Sequence, residues 1–154
     1  AAVTQLIASV IMLCLTYGLV HYAKATIEEG KKDRKKDAIE KKLEKIYSPI
    51  FDILHKAKFD TTRYAWKIGS DESLVLVREY REIHKRLATY GHYLPTENLQ
   101  KFENALKKHR YTRLKDASEF YYLFSEADIG LHYEYFRTER DRLAKELEDL
   151  TKTD

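Results

Sequence analysis

The chain has 154 residues, with 28 Lys and Arg against 25 Asp and Glu, a formal net charge of +3. Residues 1–23 hold no Asp, Glu, Lys or Arg, and the part beyond a charged neck is enough for one globular domain of about 105–110 residues, not two. Five glycines and two prolines are too few to turn a chain between many short strands, which argues against a sandwich or barrel and for helices. The lone cysteine, Cys14, excludes an intramolecular disulfide and a cysteine-based metal site.

The first element is apolar. From Leu6 to Val20 the run LIASVIMLCLTYGLV is interrupted only by Ser9, Thr16 and Gly18. At about 1.5 Å per residue, about 20 such residues cross a hydrocarbon layer of about 30 Å, so residues 1–23 are expected to form a transmembrane helix. Thr4, Gln5 and His21 then lie at headgroup depth, and Tyr17 and Tyr22 near the outgoing interface, where aromatic belts sit. Ala23-Lys24-Ala25 has the small-x-small form of a signal-peptide cleavage site, but no basic stretch precedes the apolar run, and a retained anchor is expected.

Residues 24–45 form a charged juxtamembrane neck. Nine basic residues, Lys24, Lys31, Lys32, Arg34, Lys35, Lys36, Lys41, Lys42 and Lys45, follow the span and none precedes it. Because Lys and Arg are retained on the cytoplasmic side, the expected arrangement is single-pass in the cell membrane, with the N-terminus outside and the C-terminal domain cytoplasmic. Six interleaved acids reduce the neck to a net of three positive charges. A topology signal is therefore read ahead of recognition of anionic lipid headgroups, which the same lysines are also suited to attract.

Residues 46–154 are expected to fold as a helical soluble domain of four to five helices, giving an all-α protein. Ile39, Leu43, Ile46, Ile50, Ile53 and Leu54 recur at spacings of three and four, the stripe of an amphipathic helix. Pro49 interrupts it, so Tyr47-Ser48-Pro49 marks either a bend or a restart with Ser48 as N-cap. Phe59–Gly69 has no clean period and reads as a loop or short helix. Ser70 and Asp71 supply capping oxygens before a stripe of Leu74, Val77, Tyr80, Ile83, Leu87 and Tyr90, which should end near Gly91. Thr96 is placed to cap a helix with Leu99, Phe102 and Leu106 inside. His109–Thr112 is expected to turn, ahead of a helix with Leu114, Ala117, Phe120, Tyr121 and Phe124 on one face. Gly130 leaves the last segment, through Leu143, Leu147 and Leu150, as one kinked helix or two.

Three stretches carry a resemblance: LEKIYSPIFDIL (Leu43–Leu54), IHKRLATYGHYLP (Ile83–Pro95) and YEYFRTERDRLAKEL (Tyr133–Leu147). Together they resemble an uncharacterised group of prokaryotic small helical proteins with a LYSPLY-like opening, a central GHLLP-like turn and a closing helix rich in Tyr, Arg and Leu. Ile50-Phe51 stands where that pattern has Leu-Tyr, keeping the apolar and aromatic character. The resemblance implies a helical domain over residues 43–147 and no activity.

No P-loop, dinucleotide fingerprint, nucleophile elbow, HExxH or EF-hand loop occurs. Glu-x-x-His, the ligand pair of di-iron bundles, is absent too: Arg81, Thr89, Leu106 and Ile129 stand three before His84, His92, His109 and His132. No catalytic residue, cofactor or metal is therefore expected. Setting the neck aside leaves 19 basic and 19 acidic residues in 46–154, without the basic excess of a nucleic-acid binder. The local patch Lys107, Lys108, His109, Arg110, Arg113 and Lys115 around Tyr111 reads as a solvated turn between helices. The expected role is a non-catalytic accessory or scaffold subunit beside integral membrane proteins. Thr4, Gln5, Ser9, Thr16 and Gly18 offer contacts within the membrane, and Tyr133, Tyr135, Arg137 and Arg140 have interface composition. A membrane-tethered adaptor or sensor that recruits a soluble cytoplasmic protein is the alternative.

Overall fold

The structure, a computed structural model, describes residues 1–60, 71–113 and 118–152. The chain divides into two compact units, residues 1–38 and 39–154. Helix α1, Ala2–Lys42, contains the apolar segment. It runs unbroken because it holds no proline and its charged part is rich in Lys and Glu, good helix formers that outweigh the single Gly30. An 18-residue window of it has a mean hydropathy of 2.0, and none of that window is buried inside the protein. Leu6, Val10, Leu13 and Leu19 each keep more than half of their surface exposed. The helix is long and apolar enough to cross a membrane.

Leu43–Tyr47 form a π-turn that leads into helix α2, Ser48–Phe59. Pro49 is the cause. It has no N–H, so the Lys45 carbonyl four residues earlier loses its helical donor, and the proline ring crowds that oxygen. Widening the turn relieves the crowding: the Ser48 N–H donates to the Leu43 carbonyl, five residues back. The restart with Ser48 as N-cap is not found, since Ser48 keeps helical backbone angles. Helix α3, Val77–Tyr90, supplies the missing donor. Arg86 Nη1 donates to Lys45 O at 2.7 Å, while its Nε donates to Glu82 at 2.7 Å. Arg86→Ala should lower the unfolding free energy by about 1–3 kcal/mol, because a half-buried carbonyl is left without a donor. Urea titration followed by the near-ultraviolet circular dichroism of the tyrosines measures it, and Arg86→Lys should recover part of the loss.

The expectation of an all-α fold is corrected by a small antiparallel sheet. Strands β1 (Glu72–Leu76), β2 (Arg110–Arg113) and β3 (Phe120–Ser125) lie in the order β1-β3-β2. Val75, Tyr122 and Tyr111 share one rung. Leu74 therefore belongs to a strand, not to the stripe of α3, and its neighbours Ser73, Val75 and Leu76 are also buried. Burial on both faces makes β1 a continuous apolar run, without the alternation that would have marked it. The supposed turn at His109–Thr112 becomes β2, and the supposed helix through Phe120, Tyr121 and Phe124 becomes β3. FYYLF is a run of aromatic residues that suits a pleated surface.

The strand-to-helix switch at Leu76 and Val77 is fixed by Glu79, whose carboxylate accepts the Leu76 N–H at 3.0 Å. Ser70 lies outside the described residues, as does most of the segment expected as a loop or short helix after Phe59. Asp71 contributes its carbonyl, which accepts the Glu126 N–H at 2.8 Å where β3 passes into the last helix. Helix α3 ends at Tyr90 as expected, and a 3₁₀ turn over Gly91–Tyr93 follows. Helix α4, Thr96–Lys107, is capped one residue earlier than expected, at Pro95, whose carbonyl accepts the Leu99 N–H at 3.0 Å. Helix α5, Glu126–Lys152, is one helix that runs through Gly130.

The core of residues 39–154 gathers where these elements meet. Ile46, Ile50 and Leu54 follow each other at four-residue intervals and are fully buried with Phe136 of α5. Phe102 of α4, Ile83 of α3 and Val75 of β1 close around them. The Phe136 ring lies 5.1 Å from Phe102 and 5.8 Å from Tyr47, separations at which aromatic pairs attract.

Candidate functional site

Two aromatic seams run through the C-terminal unit, and they dispose the Tyr- and Arg-rich segments differently. Between α2 and α5, Tyr133 stacks on Phe51 at 5.3 Å, and the Arg140 guanidinium lies 3.7 Å from the centre of the Phe51 ring. That places Arg140 for a cation–π contact. Tyr133 also meets Phe59 at 5.3 Å and the Lys58 ammonium at 4.7 Å. Tyr47 and Tyr135 share a hydroxyl contact of 3.4 Å. Burial drives the hydroxyls of both to titrate above the ordinary tyrosine value. Of the four candidate partner residues, Tyr133 is buried, while Tyr135 and Arg140 are half-buried in this seam. Arg137 stands exposed, bound to Glu134 at 2.6 Å. Tyr and Arg composition alone carried no signal that separates packing of this kind from an interface.

On α1, Lys24, Lys31, Arg34 and Lys35 are exposed, and Lys32 and Lys36 half-buried. Ala8, Ser9, Met12, Leu13 and Thr16 lie together on one face of the apolar segment.

The second seam lies on the sheet. Tyr80 of α3 packs at 4.5 Å from Tyr122 and 4.9 Å from His109, and its hydroxyl donates to Leu106 O at 3.3 Å. His109 turns inward, with Nδ1 at 2.8 Å from Leu106 O and its ring 4.5 Å from Tyr122. From Tyr122 the seam continues outward through Tyr111 at 5.6 Å to Phe120, which stacks on Tyr111 at 5.3 Å and 14°. This last pair reaches solvent: Tyr111 is 58% and Phe120 40% exposed.

Arginines surround it. Arg113 lies over Phe120 at 5.3 Å, and Arg78 pairs with Glu119 at 3.3 Å. Arg110, next to Tyr111 on β2 and so on the opposite face of the sheet, pairs with Glu72. Arg81 is exposed and makes no ion pair among the described residues. Together Leu76, Val77, Arg78, Arg81, Tyr111, Glu119 and Phe120 border an open groove of about 340 Å³. The basic patch anticipated around Tyr111 is thus split. His109 joins the packing, Lys115 lies outside the described residues, and Arg110 and Arg113 sit on strand β2. Arg78 and Arg81 were not anticipated, and the alternation of Arg, Tyr, Thr and Arg was the one sequence sign of an exposed strand.

The remaining histidines have ordinary settings. His84 packs edge-on to Tyr80 at 4.4 Å, His92 lies against Tyr93 at 4.3 Å, and His21 stacks with Tyr17 at 6.2 Å. Among the described residues, no three His, Cys, Asp or Glu side chains converge on one point. His132 is buried against Phe102 at 4.9 Å. Burial holds its imidazole below the ordinary value of 6.5, partly opposed by Asp128 one turn earlier.

The unfolded chain therefore takes up a proton that the folded domain resists. This contribution to stability is complete above about pH 6.5 and is lost as the pH falls through the folded value. The thermal midpoint should drop between about pH 7 and about pH 5, and His132→Leu should flatten that slope. Calorimetry across the range reads the difference between the two proteins.

Comparison with protein-family models, with curated proteins and with solved structures gives no match to this chain.

Proposed function

We propose that the chain is a single-span protein of the cell membrane, with its C-terminal domain in the cytoplasm, acting as a non-catalytic accessory or scaffold subunit of a larger membrane complex. One observation carries this reading: an 18-residue helical window of mean hydropathy 2.0 with no residue buried in the protein. So much exposed apolar surface is strongly unfavourable in water and favourable in lipid or against other membrane helices. Ala8, Ser9 and Thr16 share one face of the span and suit close approach of a second helix, since small and hydroxyl-bearing residues let helix backbones meet in a bilayer. The orientation rests on Lys24, Lys31, Lys32, Arg34, Lys35 and Lys36, which all follow the span. Anionic lipid headgroups are the natural counter-charge for the same residues.

The partners are integral membrane subunits, met through the span and through the cytoplasmic helices. Extraction of the tagged chain from native membranes in mild detergent, followed by sizing and mass spectrometry, tests this. Co-migration with integral membrane proteins at fixed stoichiometry is the expected result. A lone small particle, or soluble proteins captured at variable ratio, would replace the subunit reading with that of an independent tethered adaptor.

A further inference from the structure

We infer that the cavity beside the π-turn binds the phosphate group of a phosphate monoester. It measures about 220 Å³ and is lined by Lys45 of the turn and by Glu82, Lys85, Arg86, Thr89 and Tyr90 of α3. Sites for drug-sized ligands run from about 300 Å³ upward, so a compact group fits here. All six residues are described, and Lys85 lies about 12 Å along α3 from Val77, where the helix leaves the sheet.

The backbone builds the site. Pro49 opens the π-turn and leaves the Lys45 carbonyl to Arg86, and that bond brings the guanidinium to the wall of the cavity. Nη1 is held by the carbonyl and Nε by Glu82, which fixes the plane of the fork. Nη2 makes no hydrogen bond among the described residues. Lys85 is exposed and makes no ion pair among the described residues. Lys45 is held at 3.0 Å by Glu44, whose side chain is 70% exposed, so that pair is worth little in water and exchanges readily for a ligand. Glu44 raises the Lys45 pKa above its ordinary value, Tyr90 adds to this, and burial and the nearby Arg86 guanidinium oppose it. Two cations thus stand close together with no carboxylate between them except Glu82, already bound to Arg86.

Charge and donors choose the ligand. Three cations against Glu82 leave the wall with a net of two positive charges. A phosphate monoester carries about 1.5–2 negative charges at neutral pH and three terminal oxygens. The two ammonium groups, Arg86 Nη2 and the hydroxyls of Thr89 and Tyr90 supply donors for all three. A carboxylate brings one charge and two oxygens and leaves part of this set unused.

The test uses the isotope-labelled full chain in neutral detergent micelles at about pH 7.5 and constant ionic strength, where the monoester is largely dianionic. Glycerol phosphate is titrated in, and proton–nitrogen correlation spectra are followed. Saturable shifts are expected at Arg86 Nε–H and at the amides of residues 85–90. Lys45→Gln together with Lys85→Gln should weaken binding about tenfold. Both changes leave the Lys45 carbonyl and Arg86 in place, so the fold is kept, as circular dichroism checks. Phosphatidic acid added to the micelles is the second arm. Shifts at the same residues at lower phosphate concentration than glycerol phosphate needs would assign a lipid headgroup, and equal or weaker binding a soluble monoester. No saturable shift with either, shifts spread evenly over all basic residues, undiminished binding to the double variant, or tighter binding of a glutamate-rich peptide would each overturn the inference. The site uses no residue of the span, so its failure beside a positive co-extraction would leave the subunit reading standing.

Discussion

Replacing Phe136 with alanine should lower the unfolding free energy of the C-terminal unit by about 3–5 kcal/mol. The ring is fully buried and meets two other elements, through Phe102 of α4 and Tyr47 of the π-turn. Truncation removes the transfer free energy of the ring and leaves a cavity that helices α2, α4 and α5 can only partly close. Domains of this size are stable by about 5–15 kcal/mol, so the variant should sit near the edge of folding. Urea titration monitored by tyrosine near-ultraviolet circular dichroism measures the loss. Phe136→Leu, which keeps most of the volume, should cost distinctly less. A loss below about 1 kcal/mol for the alanine variant would mean that the core is not organised around this ring.

The pair Val10→Arg and Leu13→Arg should remove most of the chain from the membrane fraction. Both positions lie mid-run in the apolar segment, three residues apart, and both side chains are exposed. An arginine at the centre of a spanning helix costs about 2.5–3.5 kcal/mol on insertion scales, so two approach the favourable total of a span of moderate hydropathy. Fractionation of cells that express each variant reads the effect. Leu19→Arg, nearer the end of the run, should be tolerated far better because its side chain can reach the interface.

The helices were readable in the sequence for a plain reason. Ile46, Ile50 and Leu54, and likewise Ile83 and Leu87, repeat at the period of one helical face, and these are the buried residues. The sheet was not, because its strands hide that period. In β1 the residues Leu74, Val75 and Leu76 are buried without alternation, and Leu74 falls three before Val77 by accident of the strand-to-helix junction. In β3 an unbroken FYYLF lets any period be drawn through it. Pro49 announced a disturbance, but its remedy comes from Arg86, 41 residues from Lys45 along the chain, which no local pattern reports. For the candidate partner residues the limit is chemical. Tyr133 and Arg140 satisfy each other's neighbours through stacking and cation–π contact, so the same composition serves packing as well as recognition.

In the arrangement we propose, the apolar part of α1 spans a bilayer with the C-terminal domain on the cytoplasmic side. The most direct measurement is alkaline carbonate washing of native membranes combined with protease treatment of vesicles of known sidedness, with an epitope at the C-terminus. The chain is expected to stay in the carbonate pellet, with the epitope digested only in inside-out vesicles. Release into the carbonate supernatant, or digestion in right-side-out vesicles, would contradict it.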